Sequence, residues 1–396
     1  MGPYSLNFDF RDIFLSPKLG LSGKKIWVFV RGNILGFSSY WILTYLALTV
    51  EGRDLMTSVG SHGLYPILFG TKMQWYSWVI YWLGIIFWLG IILLSSTAVS
   101  RITLKQIKGN DFFSGKDGWK YSKKHMSSIL LTPLALILII TFFVIFASFI
   151  GLISSIPFLG KILFVVPYIV YFFGSVFTIY TAIVFIVSML FTPSIVGVYE
   201  EDTIGAVFNS YSITLGHAWR LVLYHLILLP LVFLSVEIMS WFWMNGMGFV
   251  NFVFGSDWFL GNDLHLLSSY ASSIVFTPII ETIPSIKEAV TNFMGFSYTL
   301  PKVFPYVFES IPTRMSGIET IFSLLLAVSY FIIGLSILSF GLSILSVGHT
   351  IMFIIFKKRG EDDNLLSRVD EDEIEDDYIP NFETNEDNTE NFDLSR

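Results

Sequence analysis

Few ionisable side chains fall inside the apolar runs of this chain, and their types and spacing decide what chemistry is open to it. Glu237 and His225 lie in the run Leu221–Trp243, and His349 lies in the last run. A carboxylate in hydrocarbon is costly and marks a proton or ion path when polar partners surround it. Glu237 is six residues before Trp243, so it also has the position of a side chain that reaches the interface. His225 is twelve residues earlier, which rotates it about 120° around a helix and does not pair the two. His349 is compatible with ligation of a pigment or haem, but an isolated histidine of this kind is more often simply a hydrogen-bonded interior imidazole. His217, Arg220 and Tyr224 share one helical face at the start of the same run. They suit a lipid phosphate or ordinary snorkelling anchors. With Lys24, Lys25, Lys123 and Lys124, the pair His217 and Arg220 completes the candidate set of lipid headgroup contacts.

Signatures of catalysis are missing. The six histidines form no H-E-x-x-H, there is no G-x-S-x-G, and Gly23-Lys24 lacks the spacing of a phosphate loop. Zero cysteines removes disulfides, thiol catalysis, iron–sulfur clusters and cysteine zinc sites. The expectation is no enzyme, no metal and no cofactor, with bound lipids as the company of the chain.

The elements that must position these residues are membrane helices. Of 396 residues, 54% are hydrophobic and 14% charged, and the mean hydropathy is +0.67, which no soluble core could accommodate. Six runs of at least about 20 residues are long enough to cross hydrocarbon: about 28–50, 75–98, 128–153, 165–191, 221–243 and 320–350. The segment 161–191 is longer than one crossing and carries Pro167 and Gly174, so it reads either as one tilted span or as a short interfacial helix followed by a span. Pro193 is expected to end it. Glu200, Glu201 and Asp202 then suit the N-terminus of an amphipathic surface helix, with Asp202 or Thr203 as cap and Ile204, Val207, Phe208, Tyr211, Leu215 and Ala218 as its apolar stripe. From Asn245 to Gly317 an aromatic, irregular cap is expected on the extracytoplasmic face, with an amphipathic helix over Pro284 to Met294.

Charge sets the sidedness. Seven Lys or Arg against two acids between Arg101 and Lys124 form the strongest basic cluster, and positive charge favours the cytoplasm. With both termini inside, 18 of the 24 Lys and Arg fall on the cytoplasmic side. The net charge of −7 comes from residues 360–396, where 15 acids meet 2 bases. That tail reads as solvated and disordered, with Tyr378, Ile379, Phe382 and Phe392 available to dock a cytoplasmic partner. The last run repeats Gly334-Leu-Ser-Ile-Leu-Ser and Gly341-Leu-Ser-Ile-Leu-Ser before Gly348. Ser336, Ser339, Ser343 and Ser346 fall on one side and Gly334, Gly341 and Gly348 on the other, a helix to be wedged between two neighbours inside the chain or in another subunit.

Arg11-Asp-Ile-Phe, Leu21-Ser-Gly-Lys-Lys-Ile-Trp, Ser210-Tyr-Ser with Ala218-Trp-Arg and Tyr224, and a basic exit before Gly360-Glu-Asp-Asp resemble a group of uncharacterised polytopic membrane proteins of planctomycete-like bacteria. The resemblance implies a topology and no activity. A further likeness, to the membrane domain attached to some glycerophosphodiester phosphodiesterases, rests on a surface helix leading into a span; the catalytic barrel is absent. The reading is an all-α polytopic bundle in a bacterial inner membrane. Its expected role is structural or accessory, in company with lipids and other membrane subunits and without nucleic acid. A small transporter or lipid-handling protein is the alternative.

Overall fold

The sequence opens with capped local structure. Asp9 accepts from the backbone of Arg11 and heads a 3-10 turn, Phe10–Leu15, and Pro17 sits in the first turn of α1, Ser16–Gly20, where a missing N–H costs nothing. The computed structural model describes residues 6–276, 288 and 316–370. Among them lie twelve α-helices and no strand. After α1 come α2 (Gly23–Val50), α3 (Leu55–His62), α4 (Trp75–Lys108), α5 (Gly115–Lys124), α6 (Met126–Ser154), α7 (Leu159–Val165) and α8 (Tyr168–Tyr199). The chain continues through α9 (Thr203–Gly216), α10 (Ala218–Phe254), α11 (Asn262–Val275) and α12 (Gly317–Glu361). Helices α2, α4, α6, α8, α10 and α12 are long and apolar enough to span a bilayer, so the chain is a multi-pass helical membrane protein.

Helix α12 is the post around which the bundle is built. Its serine side grips α2, α4 and α1: Asn33 Nδ2 donates to Ser339 Oγ at 3.3 Å, Ser346 donates to the Ser96 carbonyl at 3.0 Å, and Ser343 to the Gly20 carbonyl at 2.8 Å. Ser336 instead bonds the Ile333 carbonyl of its own helix. The glycine side faces α10 and α11. Gly341 meets Val236, Gly348 meets Leu228, and Gly334 meets Phe276. Small residues let the backbones close where lipid supplies no hydrophobic drive. The same device joins α2 to α4, where Gly32 and Gly36 face Ser95 and Trp88, and the Trp88 indole donates to Asn33 Oδ1 at 3.2 Å.

Several boundaries depart from the sequence reading. Pro193 does not end α8, which continues to Tyr199. The proline forgoes one backbone bond, but this stretch is buried from Phe191 to Val198, and tertiary contacts hold it helical. Of the two readings of 161–191 the short helix followed by a span is the one found, divided at Pro167 into α7 and the start of α8. The stretch expected to be irregular from Asn245 is helical to Phe254 and again over α11. The amphipathic helix read over Pro284 to Met294 lies outside the described residues, Glu288 apart. The loop after α2 contains α3, capped by Asp54, and is tied down by hydrogen bonds from the Tyr40 hydroxyl to Pro66 and the Tyr45 hydroxyl to Gly63.

Most of the apolar stripe of α9 faces away from the protein, as suits a helix lying on a membrane, while Tyr211 packs on Phe177 and Thr181 of α8. Ile204 is 65% exposed, Phe208 69% and Leu215 78%, whereas Ala206, Asn209, Ser210, Ile213 and Thr214 are buried against α6 and α8. A membrane reverses the soluble rule, because an apolar face can be left to hydrocarbon while small polar residues make the helix contact.

Candidate functional site

The candidate site is a buried cluster of charges at the basic end of the bundle. The cap Gly109, at φ +101°, ends α4 after Lys108, so Arg101, Lys105 and Lys108 fall on one face by i, i+4 and i+7 spacing. Arg101 has no exposed surface and Lys105 is 2% exposed. Arg101 Nη2 lies 2.7 Å from Glu200 Oε1, and its guanidinium lies over the Tyr121 ring at 4.5 Å. Glu200 reaches it because it ends α8 in the left-handed conformation, φ +62°, which swings its side chain back to α4. The sequence reading gave Glu200 to the start of α9 instead. Asp202 alone has that role, accepting from Gly205 N at 2.7 Å, and Glu201 accepts from Asn209.

The fifth member comes from beyond α12. After Glu361 the chain folds back, burying Leu365 and laying Arg368 over the Tyr199 ring at 4.7 Å. Lys108 Nζ donates to the Arg368 carbonyl at 2.6 Å and to Asp370 Oδ1 at 2.7 Å, and Lys105 Nζ lies 2.8 Å from Asp370 Oδ2. Asp370, read from sequence as part of a solvated tail, is 2% exposed. Burial alone would raise its carboxyl pKa, but the hydrogen bonds from Lys105 and Lys108 and the Arg101 charge hold it below the ordinary carboxylate value. The arrangement can hold a strap of chain, residues 362–370, against α4 and α8.

A second pair lies within the spans. His225 Nδ1 is 2.8 Å from the Leu221 carbonyl, which can only accept, so the imidazole carries its proton there and turns the Nε2 lone pair outward. That Nε2 is 3.1 Å from Nε2 of His349, and Phe191 packs on both rings. His349 is thus a hydrogen-bonded partner of His225. Glu237 is half-buried three turns further along α10.

The residues expected to meet lipid headgroups part company. Lys25 does not reach the surface: it is fully buried and donates to the Leu19 carbonyl at 3.1 Å. Lys24 donates to the Asp111 and Phe113 carbonyls in the loop between α4 and α5. His217 is 9% exposed, stacked on Phe356 at 4.9 Å, and its imidazole pKa is lowered by burial and then by Arg220, 3.4 Å away. Tyr224 also stacks on Phe356, at 5.6 Å. Lys123 and Lys124 are exposed on α5. Spacing foretold the shared face of His217, Arg220 and Tyr224, but not that it turns inward.

Sequence reasoning missed Arg101 and Asp370 as a site. The i, i+4, i+7 spacing of Arg101, Lys105 and Lys108 was the available signal for the cations; nothing local marks Asp370 among its acidic neighbours. Among the described residues no group of three or more His, Asp or Glu has metal-binding geometry. The chain matches no family model, no curated protein and no solved structure.

Proposed function

We propose that this protein is a structural or accessory subunit of a larger membrane assembly, without catalysis of its own, set in a bacterial inner membrane with both termini in the cytoplasm. The observation that carries the proposal is how the polar side chains are used. Serines of α12 bond α1, α2 and α4, Thr350 donates to Ser100 at 2.9 Å, and Arg101 lies between Glu200 and Asp370 as the cation common to both. The spans turn apolar surface outward: only 6% of the most apolar stretch of α6 is buried and 11% of that of α8. A core fixed by its own polar contacts inside an apolar perimeter favours a part that holds a shape and is touched from the side. Helix association in lipid depends on such shape.

Gentle extraction of the native protein, size-exclusion chromatography and mass spectrometry of its companions test the proposal. Stoichiometric membrane proteins are expected. A chain that travels alone or only with copies of itself overturns it. The second reading, a small transporter or lipid-handling protein, is favoured by the His225–His349 contact and by the prolines inside three spans, Pro133, Pro193 and Pro230. Under that reading Glu237→Gln or His349→Asn abolishes ion-coupled flux in proteoliposomes; under the accessory reading neither affects assembly. Sidedness follows from single-cysteine variants at Lys123 and Lys358, since the chain has no cysteine of its own. Both should react only from the cytoplasmic side.

A further inference from the structure

Between Met126 and Tyr199 the sequence has one charged side chain, Lys161. It is exposed on α7, one turn before Phe164 and on the same face by the i, i+3 relation. Phe164 lines a cleft of about 430 Å³ between α6 and α8, within the range of about 300–1,000 Å³ typical of ligand sites. Phe143, Phe146 and Gly151 form one wall, and Gly174 and Thr178 the other. Small residues in membrane helices ordinarily let two backbones close. Here they stand apart: a Cβ added at Gly151 or Gly174 would meet nothing within 4 Å. One end of the gap is covered by α7, held in place by the Tyr171 hydroxyl donating to the Leu163 carbonyl at 3.0 Å and by Phe164 stacked on Tyr171 at 6.1 Å.

We propose that this cleft binds an acyl chain of an acidic phospholipid, with Lys161 meeting the headgroup phosphate. A space in hydrocarbon has to be filled by something apolar, and the covered end decides what. A transmembrane helix of a partner would run the length of the groove and collide with α7. A single acyl chain is thin enough to pass beneath α7 and run from there along the groove toward the bilayer centre. The lysine stands on the covering helix, at the turn between two spans, which is where the headgroup of a lipid lying along α6 and α8 comes. The chain is apolar in the bilayer and in the cleft alike, so preference for an acidic lipid comes from Lys161. The proposal is independent of whether the protein has protein partners.

The test is native mass spectrometry of the full chain released from nanodiscs of equal phosphatidylglycerol and phosphatidylcholine. One retained lipid per chain is expected, with phosphatidylglycerol preferred about fivefold, the effect of one lysine beside an anionic headgroup. Gly174→Leu projects a side chain into the cleft and should remove the retained lipid of both kinds; Gly151→Leu does so from the opposite wall should the first variant not fold. Lys161→Gln should keep the lipid and lose the preference. Retention unchanged in a folded cleft variant, or a preference unchanged in Lys161→Gln, overturns the proposal.

Discussion

The basic end of the bundle and the α6–α8 hairpin are built from the same kinds of helix and packed in opposite ways. At the basic end α4 meets α8 and α12 through Arg101–Glu200, Ser100–Ser194, Ser100–Thr350 and Ser96–Ser346. In the hairpin the contacts are rings such as Phe143 on Phe177, 5.3 Å apart, beside an open cleft. The difference teaches what holds a membrane helix in place. Phenylalanine gains nothing by leaving lipid, so apolar content sends both regions into the bilayer but fixes neither. Paired charges, hydroxyls and glycines specify the neighbour.

The largest effect should come from unpairing a buried charge. Arg101→Leu leaves Glu200 facing a site without its nearest cation, and Glu200→Gln does the converse. Either should cost about 3–5 kcal/mol in reversible unfolding from mixed micelles, the usual loss when one partner of a buried pair is removed. Phe146→Ala, at an exposed hairpin position, should stay within about 0.5 kcal/mol. If the two variants cost the same, the contrast between the regions is wrong.

Asp370 sharpens the same contrast at its edge. Its depressed carboxyl pKa stabilises the strap above the ordinary carboxylate value, about 3.9, and the contribution is lost as pH falls through the lower folded value. Hydrogen-exchange protection over residues 362–370, taken relative to the intrinsic exchange rate at each pH, should therefore be high at pH 7 and fall below about pH 4. Asp370→Asn should exchange fast at pH 7, having lost charge-assisted bonds together worth about 1.5–3 kcal/mol. Slow exchange in that variant would assign the strap to Leu365 and Arg368 instead.

A third contrast concerns glycine. A side chain at Gly348 would overlap Leu228 of α10, so Gly348→Leu should cost about 1–3 kcal/mol by overpacking. Gly174→Ala meets open space and replaces a poor helix former, so it should stabilise by up to about 1 kcal/mol. Both are measured in the same unfolding assay.

What could be read from sequence divides along the same line. The six spans were legible because hydrocarbon thickness imposes a length and apolar content marks it. The two sides of α12 were legible because serine and glycine recur every seven residues, although sequence could not say that both neighbours, α4 and α10, belong to this chain. The basic-end site was not legible. Arg101, Glu200 and Asp370 are separated by about a hundred residues or more, and only the left-handed end of α8 and the return after Glu361 bring them together. Periodicity found the apolar stripe of α9 but not the opposite face, where Ala206, Asn209, Ser210 and Thr214 pack against the bundle. Lys25 was misplaced for a related reason: a lysine beside Trp27 has the look of an interface anchor, and only the fold of α1 beneath it supplies the Leu19 carbonyl.

The smallest expected effect separates size from hydrogen bonding as the basis of the α12 contact. Ser96 donates to Ser346 Oγ at 2.9 Å, and Ser346 donates to the Ser96 carbonyl at 3.0 Å. A hydroxyl in hydrocarbon has every reason to bond, but the unfolded helices also find partners in the membrane, so such pairs average only about 0.6 kcal/mol in coupling. A double-mutant cycle of Ser96→Ala and Ser346→Ala should return about that value, because alanine keeps the close approach while deleting both hydroxyls. Ser346→Leu keeps neither and should cost several times more. Were the alanine cycle to reach the cost of the leucine variant, hydrogen bonding rather than size would be what draws α12 to α4, and the glycine side of the helix would be left as the only contact set by shape.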